Sequence, residues 1–88
     1  MDPEKFAKKI EAESLAALFD IMRYLVNHGE AYSREIKNGC PALRDWSISR
    51  IGVTLRRLER EGELASELKG PLNFRYYWIP EDKLPKDE

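Results

Sequence analysis

The order of hydrophobic and polar positions divides the chain into one long helical segment, two shorter helices and a pair of strands. Asp2 followed by Pro3 is typical of a helix N-cap with proline in the first turn, and neither glycine nor a further proline occurs before Gly29. This pattern predicts a first helix that ends at His28. Its second half has the apolar spacing of a helix packed into a core, through Leu15, Leu18, Phe19, Met22, Leu25 and Val26.

The first half of this helix is more charged, although Phe6 and Ile10 stand four residues apart on one side of it. Two interpretations remain open for the extension 1–13. It can serve as an arm that pairs with a second copy of the chain, because so small a domain cannot cover it fully. Alternatively, Phe6 and Ile10 fold back onto their own domain.

A short second helix and a connection precede the third helix. Ser33 can cap the second helix, which Asn38-Gly39 ends, and a proline-containing connection follows over residues 40–45. Either Asp45 or Ser47 can cap the third helix. Trp46 is expected to pack its ring against the core at the entrance of that helix.

The third helix, predicted over residues 47–61, is amphipathic. Ile48, Ile51, Leu55 and Leu58 recur at steps of three or four and predict one stripe that faces the core. The opposite face combines guanidinium groups, hydroxyls and one valine, on Ser49, Arg50, Val53, Thr54, Arg56, Arg57 and Arg60.

After Gly62 the pattern changes to that of a β-hairpin. Residues 63–68 and 74–79 predict two strands around a turn at residues 69–73, since aromatic residues alternate along the second strand. We expect Tyr76 and Trp78 to pack into the core rather than to stack on bases. Residues 1–80 then form a single domain, and residues 81–88 a charged flexible tail.

Three helices followed by a two-stranded hairpin predict an α+β fold, a winged helix-turn-helix with an extended N-terminal helix. The third-helix chemistry fits a major groove, because guanidinium groups suit phosphates and guanine edges and an exposed valine can contact a thymine methyl. The same pattern is also that of a solvated face on an ordinary core helix. The candidate DNA contacts are Ser47, Ser49, Arg50, Val53, Thr54, Arg56, Arg57 and Arg60 on the helix and Lys69, Asn73 and Arg75 at the wing.

Charge is divided unevenly along the chain. The whole sequence has a net charge of −1, whereas residues 31–60 hold seven basic and three acidic residues, a net charge of +4. Because a local basic patch sets the attraction to phosphate, we expect binding of double-stranded DNA that is sensitive to salt.

Composition limits the other function classes. The 88 residues are 42% hydrophobic and 35% charged, with no apolar run that could cross a bilayer. The charged first ten residues and the single Cys40 lead us to expect no signal peptide and a cytoplasmic location. His28 is the only histidine and Cys40 has no evident base beside it, so we expect no catalysis, metal or cofactor. The lack of Gln and the abundance of Glu, Lys and Arg hint at a thermophilic or archaeal source.

The run from Ile51 to Gly62, a later Gly-Pro turn and Arg75-Tyr76-Tyr77 resemble the winged-helix transcriptional regulators of the PadR type, and more loosely those of the ArsR and MarR groups. The resemblance covers roughly residues 15–80. It implies DNA-contact roles for Ser47, Ser49, Arg50, Val53, Thr54 and Arg57, and for Arg75 in the wing.

The sequence departs from the PadR pattern at two places. Gly52 stands where those proteins usually have an aromatic residue, and the C-terminal helix through which they usually dimerise has no counterpart here. The N-terminal helix is therefore the better candidate for a homodimer contact. The winged helices that bind left-handed DNA need Asn and Tyr where this chain has Gly52 and Arg56, so that branch is not expected.

Gly52 costs about 1 kcal/mol of helix stability relative to alanine, which suggests that it permits a close approach. We favour approach of the second helix over approach of a DNA backbone, so Gly52→Ala is expected to harm folding more than binding. A competing function for the whole domain is protein contact within a transcription, replication or chromatin complex, which the net charge of −1 keeps open.

Overall fold

The computed structural model describes residues 3–84, with side chains from Ser14 onward. Its three helices are α1 (Pro3–His28), α2 (Ser33–Gly39) and α3 (Ile48–Arg60), and its strands are β1 (Glu30–Ala31), β2 (Ala65–Lys69) and β3 (Phe74–Trp78). Two short 3-10 helices cover Pro41–Leu43 and Glu81–Lys83. The chain is therefore an α+β fold in which one antiparallel sheet has the order β1-β3-β2.

The three helices and the hairpin confirm the predicted element order, with α1 beginning at Pro3 as expected. The proposed cap Asp2 and the side chains of Phe6 and Ile10 lie outside the described residues. A 3-10 turn at Glu81–Lys83 stands where the sequence predicted a flexible tail.

Strand β1 was not predicted, because two residues are too few to show a periodic pattern. It follows directly after Gly29, whose φ of +86° turns the chain out of α1. Ala31 is buried and pairs with Tyr77 at the centre of the sheet. The strand thus fixes Tyr32 beside the hairpin, where its ring stacks on Phe74 with 4.8 Å between centroids.

The alternation along β3 has the opposite phase to the one expected. Tyr77 and Ile79 are buried in the core, whereas Tyr76 and Trp78 are half-buried on the other face of the sheet. The prediction that Tyr76 and Trp78 form the core was therefore wrong. A strand that is aromatic on both faces does not reveal which face turns inward, and a shift of one residue exchanges them.

Helix α1 packs on the core through a narrower stripe than its sequence predicts. Among the described side chains of α1, those of Ala17, Ile21 and Leu25 are buried. Leu18 and Met22 lie at the margin of the core. The prediction was wrong for three other residues, because their side chains remain exposed: Leu15 by 54%, Phe19 by 80% and Val26 by 45%.

The close contact between α1 and α2 depends on Gly39. A Cβ atom at this position would lie 2.1 Å from Cε2 of Tyr24 on α1, far inside van der Waals contact. The Tyr24 ring is itself held by stacking on His28, with ring centroids 4.0 Å apart. The glycine that permits helix packing is therefore Gly39.

A carboxylate and a thiol connect α1 to the segment after α2. Asp20 accepts the backbone N–H of Ala42 at 3.0 Å and pairs with Arg23. The Arg23 hydrogen bond, followed by that of Ala42, lowers the pKa of Asp20. Cys40 donates its buried S–H to the Asp20 carbonyl at 3.4 Å, and burial raises the pKa of this thiol to about 11.

The second helix begins one residue earlier than expected. Tyr32 is its N-cap, and the backbone N–H of Tyr32 donates to the Glu35 carboxylate at 3.2 Å, so Ser33 is the first helical residue rather than the cap. Near the other end, the Lys37 ammonium donates to the carbonyls of Arg44 at 3.1 Å and of Trp46. Lys37 therefore stabilises the connection rather than offering a free charge.

Candidate nucleic-acid interface

The entrance of α3 is fixed by a hydroxyl and an indole. Ser47 is the N-cap, since its Oγ accepts the backbone N–H of Arg50 at 3.1 Å, which decides between Ser47 and Asp45. Trp46, one residue earlier, is buried in the core as predicted. The Ser47 hydroxyl is thus occupied within the helix terminus.

Three of the four apolar residues assigned to the inner stripe of α3 are buried, namely Ile51, Leu55 and Leu58. The assignment was wrong for Ile48, which is 39% exposed. Ile48 sits on the side of α3 that turns toward the hairpin, where no element covers it completely.

The outward face of α3 has the composition that its periodicity predicts. Thr54 is half-buried. The remaining candidates on this face are all exposed to solvent: Ser49, Arg50, Val53, Arg56, Arg57 and Arg60. The face therefore presents four guanidinium groups, one hydroxyl and one valine side chain on a single exposed surface.

Two of these guanidinium groups are held by neighbours. The Arg50 guanidinium lies 3.6 Å from the centre of the Trp46 ring, within the range of a cation–π contact. The Nε of Arg57 donates to the Glu61 carboxylate at 3.1 Å. These contacts orient the two side chains, but they also partly satisfy their charge, so a DNA phosphate would compete with Glu61 for Arg57.

A groove of about 660 Å³ separates α3 from the hairpin. Gly52 and Ile48 lie on its α3 side. The groups that can bind phosphate there come from three different elements: Ser33 of α2, Ser49 and Arg56 of α3, and Arg75 of β3.

Arg75 is held beside α3 by a chain of hydrogen bonds. Its Nη1 donates to the hydroxyl of Ser66 at 3.0 Å, and this hydroxyl donates to the Glu59 carboxylate at 2.5 Å. The hairpin and α3 are thereby linked through polar side chains at the groove wall. Arg75 is consequently the hairpin candidate that the structure brings together with the α3 candidates Ser49 and Arg56.

The other two wing candidates have different surroundings. The Lys69 ammonium contacts the Glu30 carboxylate at 2.6 Å and lies 5.3 Å from the centre of the Trp78 ring. The hydrogen bond to Glu30 raises the pKa of Lys69. Lys69 lines a depression on the Trp78 face of the sheet, so it does not join Arg75 in the groove.

Asn73 closes the turn of the hairpin. Its backbone N–H donates to the Gly70 carbonyl at 3.1 Å, and its φ of +52° is in the left-handed region that asparagine tolerates. Asn73 is exposed at the tip, next to Leu72. Sequence reasoning missed Ser33 and Tyr32 as groove residues, because β1, which positions them, has no recognisable signal.

Gly52 has room for a side chain. An added Cβ would meet only the Nη2 of Arg56, at an ordinary contact distance of 3.6 Å. The hypothesis that Gly52 permits close packing of the second helix is therefore wrong, and Gly39 has that role. The alternative in the hypothesis was the close approach of a DNA backbone. That approach would come from the groove, which Gly52 lines.

Comparisons with protein-family models, with curated proteins and with solved structures find no match to this chain. No helix within residues 3–84 combines the length and the apolar character needed to cross a membrane. Among the described side chains, no group of three or more His, Cys, Asp and Glu is arranged to hold a metal ion. The function is therefore inferred from the geometry of α3 and the groove.

Proposed function

We propose that the chain is a winged helix-turn-helix domain that binds double-stranded DNA and acts as a small transcriptional regulator. In this proposal α3 enters the major groove, and the hairpin contacts the backbone or the minor groove next to it. The resemblance of residues 51–62 and 75–77 to PadR-type regulators points the same way.

One observation carries the proposal: the outward face of α3 is exposed and offers Arg56, Arg57 and Arg60 beside Ser49 and Val53. The major groove of B-DNA is wide enough to admit an α-helix, and the side chains on this face supply donors to phosphate oxygens and to guanine edges. A solvated face without a partner would not require arginine in particular, since lysine and glutamate serve solubility equally well.

The groove beside α3 supplies the second contact. Ser33, Arg56 and Arg75 converge there from three elements, although the whole chain has a net charge of −1. We expect these groups to position the phosphate backbone, while the side chains of α3 contact base edges. Asn73 and the turn then reach the adjacent stretch of DNA.

The test is the anisotropy of a labelled random-sequence duplex titrated with the protein at two salt concentrations. If four phosphates are contacted, affinity falls by about 100-fold between about 50 and about 200 mM salt. The double variant Arg56→Glu/Arg60→Glu is expected to weaken binding at least about tenfold and to reduce the salt slope by about two. Arg60 and Arg56 are preferred to Arg50, because reversal at Arg50 would also disturb the Trp46 contact.

The matched control compares a charge reversal on the outward face of α3 with a charge reversal at a site away from that face. Arg60→Glu and Lys83→Glu change the net charge equally, and both side chains are exposed. Lys83 follows the sheet in the turn Glu81–Lys83 and does not line the groove. Equal loss of affinity in the two variants would mean that only overall charge matters, and an unchanged affinity in Arg60→Glu would contradict the proposal.

The second candidate is a winged helix that binds another protein. It is favoured by the exposed apolar side chains of the hairpin, Leu68, Leu72 and Phe74, which phosphate binding does not require. A folded wild-type protein with no duplex binding at the lower salt would favour this function. Leu72→Ser would then be the variant with which to compare capture of partners.

A further inference from the structure

Two stacked aromatic rings lie beside the cations of the groove between α3 and the hairpin. Tyr32 and Phe74 line this groove together with Arg56 and Arg75. The Tyr32 ring stacks on the Phe74 ring with 4.8 Å between centroids, and it meets the Tyr76 ring in a T-shaped contact at 5.5 Å. These contacts fix the orientation of the rings before a ligand binds.

Phe74 keeps an exposed ring although it belongs to the sheet. Tyr32 covers one face of this ring, and the residue nevertheless remains 42% exposed. Contacts to DNA phosphates do not use a phenyl ring, whereas a nucleobase stacks on one readily. The open face of Phe74 therefore has the chemistry of a stacking surface for a base.

The groove reaches both faces of β3 because one edge of this strand is open there. Strand β1 pairs only with Tyr77 and Trp78, so within residues 3–84 no strand lies beside residues 74–76 on that side. Successive residues of a strand point to opposite faces, yet Phe74 and Arg75 line the same groove. A ligand that lies across the open edge can contact a ring and a guanidinium together.

The charges of the groove suit one phosphate group. The Arg75 guanidinium uses Nη1 for the Ser66 hydroxyl, which leaves further N–H donors on the same group. The Nη2 of Arg56 lies 3.6 Å from the position that a Cβ on Gly52 would occupy, so this guanidinium lies along the groove side of α3. With the carboxylate of Glu59 on the same wall, the two guanidinium groups leave a net charge of +1. This charge favours a single phosphate over a triphosphate.

We propose that this groove binds a single unpaired nucleotide, with its base stacked on the open face of Phe74 and its phosphate held by Arg56 and Arg75. The hydroxyls of Ser33 and Ser49 line the same groove and can contact the sugar or the phosphate. The groove volume of about 660 Å³ is that of a small-molecule site. The inference rests on the proposed function for its choice of a nucleic-acid ligand, and it adds a base that is not paired.

The first measurement is a heteronuclear NMR titration of the full chain with adenosine monophosphate (AMP), beside adenosine and ribose 5-phosphate. AMP is expected to shift the backbone signals of Gly52, Phe74 and Arg75. Adenosine loses the charged hydrogen bonds and ribose 5-phosphate loses the stack, so each should bind at least about fivefold more weakly. Equal affinities for AMP and ribose 5-phosphate would overturn the proposal, because the base would then contribute nothing.

The second measurement distinguishes a free nucleotide from an unpaired nucleotide within DNA. The anisotropy of a labelled blunt duplex is compared with that of the same duplex carrying a short single-stranded end, at about 50 mM salt. A single-stranded end that raises the affinity at least about fivefold would support the proposal and assign the site to DNA strands. Binding of AMP without this gain would support it and assign the site to the free nucleotide.

Two substitutions of Phe74 separate stacking from apolar contact. Phe74→Leu keeps apolar bulk but lacks a ring face, so it should weaken AMP binding at least about fivefold and remove the gain from the single-stranded end. Phe74→Tyr retains the ring and should stay within about twofold of the wild type. Phe19→Leu is the matched control, since it makes the same change at a phenylalanine that is 80% exposed on α1 and does not line the groove. It should bind like the wild type.

The NMR spectrum establishes that each variant is folded. Unchanged AMP binding and an unchanged gain in Phe74→Leu would overturn the proposal. Absence of both AMP binding and the gain in the wild type would also overturn it, and would leave the exposed ring to the protein-binding function. The AMP titration involves no duplex, so AMP binding without blunt-duplex binding would reject only the proposed function. Blunt-duplex binding with neither AMP binding nor a gain would reject only this inference.

Discussion

The outward faces of α1 and α3 differ in chemistry although both helices pack on the same core. Helix α3 turns arginines and a serine outward, whereas α1 exposes Leu15, Phe19 and Val26. The buried apolar residues of α3, Ile51, Leu55 and Leu58, form one narrow stripe, so the orientation of this helix follows from the sequence. The apolar residues of α1 extend over more than half of its circumference, so only the packing of its neighbours decides which side is covered.

The largest expected difference in the free energy of unfolding is between truncating a buried residue of α3 and truncating an exposed residue of α1. Leu55→Ala is expected to cost about 2 to 5 kcal/mol, because Leu55 is fully buried and leaves a cavity. Phe19→Ala should change the free energy of unfolding by less than about 0.5 kcal/mol in dilute, monomeric protein. Urea denaturation at low protein concentration measures both. A large loss in Phe19→Ala would mean that the ring packs on its own domain.

The two helical glycines should respond in opposite directions. Gly39→Ala is expected to cost about 1 to 3 kcal/mol, because the new Cβ collides with the Tyr24 ring of α1. Gly52→Ala should instead stabilise α3 by about 0.5 to 1 kcal/mol, since its Cβ meets only a flexible guanidinium. Thermal unfolding of the two variants side by side checks the sign of each change.

Gly52→Ala also tests the groove. A DNA affinity that falls in this stabilised variant would mean that a DNA backbone approaches Gly52 closely, whereas an unchanged affinity would remove the last reason for glycine at this position. Gly39→Ala is unsuitable for this purpose, because any loss of binding would follow from its loss of stability.

The cap of α3 should have a smaller effect. Ser47→Ala is expected to lower the free energy of unfolding by about 1 kcal/mol, because the N–H of Arg50 loses its acceptor. Ser47→Gly should cost only a few tenths of a kcal/mol, since glycine is tolerated at this position. If Ser47→Ala is neutral, Asp45 has taken over the cap, and chemical denaturation of Asp45→Ala in that background would show it.

The attachment of α1 should depend weakly on pH through Asp20. Its pKa is lowered in the folded state, so its interactions stabilise the protein above the unfolded value of about 3.9. This stabilisation is lost as the pH falls through the lower, folded-state pKa. The wild type should therefore lose more thermal stability between about pH 5 and pH 2 than Asp20→Asn does, and parallel curves would show that Asp20 is not coupled to folding.

Much of the local structure follows from the sequence because it depends on contacts between near neighbours. The bounds of α1, the serine cap of α3, and the hairpin around Gly70 and Asn73 all arise from short-range preferences. The exposed arginine face of α3 follows in the same way, because its inner stripe is narrow. The basic surface was therefore identifiable before its surroundings were known.

Which residues line the groove could not be predicted from the sequence to the same extent. Ser33 reaches it only because the two-residue strand β1 pairs with β3, and Lys69 is withdrawn from it by Glu30, a residue 39 positions earlier. Neither contact has a local signature in the sequence. The inward face of β3 was likewise undecided, since aromatic residues occupy both of its faces.

The sequence by itself determined the order of the elements, the amphipathic character of α3 and the basic charge of residues 31–60. Only the tertiary structure decided which side of α1 is covered, which of Tyr76 and Tyr77 enters the core, and which glycine permits helix contact. The physical reason is that periodicity fixes an element's pattern relative to itself, whereas burial depends on distant residues that pack against it.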